Sequence, residues 1–280
     1  MKIAISNIAW REDEDAGVGR LMQEFGIDGL EIAPTRVWKD PTAVSAQEIQ
    51  KFRDFWRSFG ISISSFQSLL FGQNHFQIFS EETLRNEMEA YLVKIIDLAS
   101  KLEARKLVFG SPKNRLRGQL SMQDAILIAA PFFRKIGDYA KGLGVQFCIE
   151  PNPKTYGCDF ITNAEEGREF VKLVNSPGFG LHLDGAGTFL ALKEELSTST
   201  VQNEIKKSSD LICHFHVSQP HLATLNTCSD VDYVPIFETL KSTGYSRWLS
   251  IEMRAGPREL SNLSNVRDSI AQVKRDVDGL

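Results

Sequence analysis

Eight short apolar runs recur along the 280-residue chain: KIAIS at 2–6, GLEIA at 29–33, ISISSF at 61–66, KLVFG at 106–110, VQFCIE at 145–150, GLHLD at 180–184, LICHFHV at 211–217 and WLSIE at 248–252. Their starts lie about 25 to 45 residues apart, the length of one strand followed by one helix. Between them apolar residues fall three and four apart, most clearly over 83–102 and 125–143, which predicts amphipathic helices there. In FGIDGLEI, FGISI, GLGVQF and TGYSRWLS a glycine stands at the joint between such a helix and the next strand, as a helix stop does. Eight such units in a chain of this length predict an α/β fold: a single (βα)₈ TIM-barrel domain over 1–280 with a parallel eight-stranded core. A doubly wound open sheet fits less well, because no GxGxxG follows the first strand. No Pro/Ser-rich linker or low-complexity tract divides the chain.

Charge and composition narrow the partners. A net charge of −4 gives no electrostatic attraction for phosphate backbones or anionic membranes, so neither nucleic acid nor membrane is expected as a partner. No apolar run approaches the roughly 20 residues of a membrane span, and MKIAISNIAW enters strand-like sequence directly, so a cytoplasmic location is expected. The four cysteines, Cys148, Cys158, Cys213 and Cys228, form no CxxC pair and are expected as free thiols, some of them buried.

In a barrel of this kind the chemistry sits at the C-terminal ends of the strands. Those ends carry Glu150 on the fifth strand, Asp184 on the sixth, His216 on the seventh and Glu252 on the eighth. Three carboxylates converging in a partly desolvated space repel one another unless a cation neutralises them. Three oxygens and one imidazole nitrogen suit Mn²⁺ or Mg²⁺, with Co²⁺ and Zn²⁺ as further options. His182 and His214 lie two residues before proposed ligands, one layer deeper on the same strand faces, and are read as hydrogen-bonded core histidines rather than ligands. Glu31 turns into the barrel as well, either as a partner to a ligand or in a buried structural pair.

The order Glu, Asp, His, Glu, in the settings IEPN, LHLDGAG, HFHV and SIEM, resembles the xylose isomerase-like barrel superfamily, the sugar phosphate isomerase/epimerase group. Ketose 3-epimerases of the tagatose and psicose type are nearest in layout. The resemblance implies a Mn²⁺ or Mg²⁺ site formed by Glu150, Asp184, His216 and Glu252, with Glu150 and Glu252 also moving protons. It implies a small sugar substrate and assembly as a homodimer or homotetramer. The chain departs from the pattern at Gly187, where family members often carry a histidine, and in the run Ser218-Gln219-Pro220-His221 after the seventh strand.

Around that centre, Lys113 and Arg115 follow the fourth strand, where they either hold an anionic group of the substrate or form a solvated basic loop. Arg254, and with less warrant Arg258, are candidates for the same role. Trp10 and Phe66 are read as an apolar wall or as packing, and Gln67 as a polar substrate contact. The expectation is a divalent-metal-dependent isomerase or epimerase working through an enediolate of a small polyhydroxylated carbonyl compound. A dehydratase on the same site, a non-catalytic sugar-binding barrel and a metal-dependent phosphodiesterase are the alternatives.

Overall fold

The computed structural model describes residues 1–191 and 197–280. Its eight strands are β1 (Lys2–Ser6), β2 (Gly29–Ile32), β3 (Ser62–Phe66), β4 (Lys106–Phe109), β5 (Gln146–Ile149), β6 (Phe179–Asp184), β7 (Ile212–Ser218) and β8 (Trp248–Glu252). Each pairs in parallel with its sequence neighbours, and β8 returns to β1, so the sheet closes into a barrel with helices around it. Strand limits fall within a residue or two of the apolar runs, and the two longest helices, Glu82–Lys101 and Met122–Gly142, cover the expected periodic stretches. Gly26, Gly60, Gly144 and Gly244 all have positive φ at the helix-to-strand joints, a conformation that glycine adopts without a Cβ penalty. Among the described residues no helix is long and apolar enough to cross a membrane.

Alternation along each strand separates two cores. Outward residues pack against the helices, where Phe133 of the helix Met122–Gly142 meets Phe109, Phe147, Phe170 and Phe179. Inward residues fill the barrel, and there two irregularities break the alternation. In β3 the register passes from Leu30↔Ile63 to Glu31↔Ser65, which leaves Ser64 as an extra residue and brings Ser65 level with Glu31. In β7 it passes from Leu181↔Ile212 to His182↔His214, with Cys213 as the extra residue.

The second bulge corrects the expectation of four free thiols. Because β7 gains a residue there, Cys213 reaches inward across Gly180, where a Cβ would collide with it, and meets Cys148 of β5 in the position of a disulfide. Cys158 and Cys228 are free.

Candidate metal centre

Four strand ends converge on a cavity of about 240 Å³ at the barrel mouth, lined among others by Glu150, Asp184, His216 and Glu252. Glu150 follows the last residue of β5, its backbone N–H donating to the Phe109 carbonyl at 3.1 Å and so extending the ladder. Asp184 pairs in register with His216, and Glu252 with Ser218 two residues further on, so the sheet itself fixes where these side chains stand at the mouth. One ligand atom each from Glu150, Asp184 and His216 fall within 4.8 Å of one another, and Glu252 Oε2 lies 3.2 Å from His216 Nδ1.

Charge at this centre is frustrated. Burial, followed by repulsion from Glu252 and Asp184, pushes the Glu150 carboxyl up to about 8. Burial and Glu252 push Asp184 up to about 6. Burial would suppress protonation of His216, but Glu31 on one side and Glu252 on the other hold its pKa well above the ordinary histidine value. Carboxyls that retain protons near neutrality for want of a counter-charge are what a divalent cation relieves, so the residues present fit a hard, mainly oxygen-liganded ion.

The surroundings fix these groups. Asp184 Oδ1 accepts from the Ala186 N–H at 2.9 Å and from the Ser218 hydroxyl. Ser218 is pinned in turn by Tyr233, whose hydroxyl accepts from the Ser218 N–H at 2.8 Å and donates to its carbonyl at 2.5 Å. Gly110 gives Glu150 its place, since a Cβ there would collide with Oε2. Below the centre, Glu31 is fully buried and held ionised: burial opposes its charge, but His216 and His214 keep it well below the ordinary carboxyl range. Its Oε1 lies 2.9 Å from His214 Nε2 and its Oε2 2.9 Å from His216 Nε2, with the Ser65 and Ser250 hydroxyls each donating at 2.8 Å. Glu31 therefore holds a buried pair and supports His216 from behind.

The outlying candidates separate. Gln67 lines the cavity, its Nε2 donating to Ser6 Oγ at 2.7 Å. Phe66 does not, because the β3 bulge that turns Ser65 inward leaves Phe66 packed outward in the core. Trp10 is buried away from the cavity, its indole N–H donating to Asp15 at 2.7 Å and its ring edge on Trp56. Arg115 is fully buried behind the centre, with Nη2 donating to the Glu150 carbonyl at 2.6 Å, so it braces the backbone that carries this carboxylate. Lys113 and Arg254 are exposed and outside the cavity lining; the chain turns at 254 to donate its N–H to the Leu222 carbonyl. Asn152, Tyr156 and Leu222 form walls that the sequence did not announce. Asn152 stands beside Glu150 in IEPN, the one local cue, whereas Tyr156 and Leu222 arrive on loops. His182, expected to be hydrogen-bonded, has no partner on either ring nitrogen.

No sequence among curated proteins matches this chain. Solved structures do: a D-psicose 3-epimerase crystallised with D-fructose superposes at a TM-score of 0.78, with 17% identity over 99% of both chains. A 3-keto-D-glucoside 4-epimerase from E. coli gives 0.78 with 16% identity, over 98% of this chain and 99% of that one. The IolI protein with a bound zinc atom gives 0.74 with 15% identity, over 100% of this chain and 99% of that one. The family model described as xylose isomerase-like TIM barrel matches residues 20–275, and the chain belongs to that family.

Proposed function

We propose that this protein is a divalent-metal-dependent isomerase or epimerase acting on a small sugar or related polyhydroxylated carbonyl compound. The observation that carries the reading is the meeting of three carboxylates and an imidazole at the floor of one cavity, with two of the carboxyls raised by burial and by repulsion from their neighbours. Similarity in fold to a D-psicose 3-epimerase and a 3-keto-D-glucoside 4-epimerase supports it.

Glu150, Asp184, His216 and Glu252 would hold Mn²⁺ or Mg²⁺, which when bound draws electron density from a carbonyl and its neighbouring hydroxyl and so acidifies the shared C–H. The glutamates do the proton work. Glu150 rises from β5 and Glu252 from β8, with the strands bearing Asp184 and His216 between them. One removes the proton from one face of the carbon, leaving a planar enediolate, and the other supplies a proton to the opposite face, which inverts the centre. Gln67, Asn152 and Tyr156 offer hydrogen bonds to the remaining hydroxyls. Among the described residues that line the cavity there is no lysine or arginine, which favours an unphosphorylated substrate.

The test is metal content followed by exchange. Wild type purified without chelators and then supplied with Mn²⁺ should retain about one cation per chain, and Asp184→Asn should lose it on equal buffer exchange. Free ketoses and inososes incubated in D₂O should then gain deuterium at the carbon beside the carbonyl only with the loaded wild type. Failure of the wild type to retain either Mn²⁺ or Mg²⁺ would overturn the proposal.

A further inference from the structure

One layer beneath the mouth, two imidazoles that the proposed reaction does not use, those of His182 and His214, lie against the proposed ligand His216. His182, His214 and His216 are all buried, and one ring nitrogen from each lies within 4.8 Å of the other two. The rings of His182 and His216 meet edge to face with centroids 4.1 Å apart, and His214 lies 5.4 Å from each. Both nitrogens of His182 and Nδ1 of His214 have no hydrogen-bond partner. Burying a polar group without a partner is destabilising, so the cluster carries an uncompensated penalty that packing alone does not explain. The Glu31 carboxylate, held between His214 and His216, places a negative charge on the same cluster.

We propose that His182, His214 and His216, with Glu31 beside them, form a second cation site inside the barrel that takes Zn²⁺ or a similar nitrogen-preferring ion. The donor set is three imidazoles and one carboxylate, unlike the oxygen-rich set at the mouth, and it suits a four-coordinate ion. Around tetrahedral zinc the ligand nitrogens stand about 3.3 Å apart, against the 4.8 Å within which these three nitrogens lie.

His216 belongs to both donor sets, and this links them. Its Nδ1 faces Glu252 at the mouth and its Nε2 faces Glu31 inside. A neutral imidazole has one lone pair, so His216 serves one ion or the other. An ion in the inner site therefore withdraws a ligand from the mouth site, and excess zinc suppresses retention of Mn²⁺; this consequence alone rests on the function proposed above.

Zinc added to the metal-free full-length protein and examined by X-ray absorption at the zinc edge tests the site without any activity. Wild type should show zinc with three imidazole ligands. Asp184→Asn, which damages only the mouth set, should bind zinc with the same spectrum. His182→Gln should lower zinc affinity by about tenfold or more and remove an imidazole from the spectrum. A wild-type spectrum with a single imidazole, or zinc affinity that falls in Asp184→Asn and not in His182→Gln, would overturn the inner site. If His182→Gln does not fold, the first two spectra decide. The metal and exchange measurements on Mn²⁺-loaded enzyme report on the proposed function separately, so failure of either reading is recognisable.

Discussion

Gly110 shows how much of this centre depends on a single atom that is missing. It follows β4, and any Cβ there would occupy the place of Glu150 Oε2. Its φ is not positive, so alanine is conformationally acceptable and the effect of Gly110→Ala is steric. The substitution should push the Glu150 carboxylate out of the cavity and weaken Mn²⁺ binding by about tenfold or more, in line with what misplacing a ligand costs. Equilibrium dialysis reads the affinity, and an unchanged melting temperature separates displacement from misfolding. Unaltered affinity would mean that Glu150 is not a ligand. Ser218 acts in the opposite sense, by supplying an atom: its hydroxyl donates to Asp184 while Tyr233 holds its backbone from both sides.

At the scale of elements, one buried carboxylate helps to close the ring of helices. Glu14, just before the helix Asp15–Phe25, accepts from the Arg11 N–H at 3.0 Å, the Asn262 N–H and side-chain amide at 2.7 Å each, and the Ser261 hydroxyl at 2.9 Å. It therefore ties the start of the first long helix to the start of the last, Leu263–Asp278. Burial raises the cost of its charge, but hydrogen bonds from Arg11, Asn262 and Ser261 outweigh that and bring its pKa to about 2 from 4.5. A depressed carboxyl stabilises the fold above its unfolded pKa and loses that contribution as pH falls through the folded one. The contribution is present at neutral pH and disappears between about pH 4.5 and 2. Glu14→Gln should accordingly be less stable than wild type in urea at pH 7, with the gap narrowing as the pH is lowered across that window. A gap independent of pH would assign the effect to shape rather than charge.

At the scale of the molecule, the alternation of strands and helices was legible because it is local: each apolar run and each glycine stop is visible in its own few residues. The residues that end β5 to β8 were legible for the same reason. Both bulges were not, since an extra residue at Ser64 or Cys213 reverses the parity of a strand without leaving a mark in its composition. Phe66, expected at the rim, faces outward for that reason, and Cys213 faces inward. Cavity walls such as Tyr156 and Leu222 depend on loop paths set by distant contacts, which no short stretch encodes. The centre that these features build joins four consecutive strands, so its charge state bears on the stability of half the barrel. In the metal-free protein Glu150 and Asp184 have pKa values of about 8 and 6, above the ordinary 4.5 and 3.8. A raised carboxyl favours folding fully only below its unfolded value, and that advantage is lost as pH climbs through the folded one. The chelator-treated protein should therefore lose this contribution, and melt at progressively lower temperature, as the pH rises from about 4 to about 8. A cation reverses the sign by replacing the protons, so Mn²⁺ at about 100 times its dissociation constant should add about 2.7 kcal/mol, roughly 5 °C or more. At one fixed Mn²⁺ concentration the increment should be larger at pH 8 than at pH 6, because fewer protons then compete for the same oxygens. Differential scanning calorimetry with and without Mn²⁺ at the two pH values measures it, and an increment that shrinks toward high pH would show that these carboxyls are not where the cation binds.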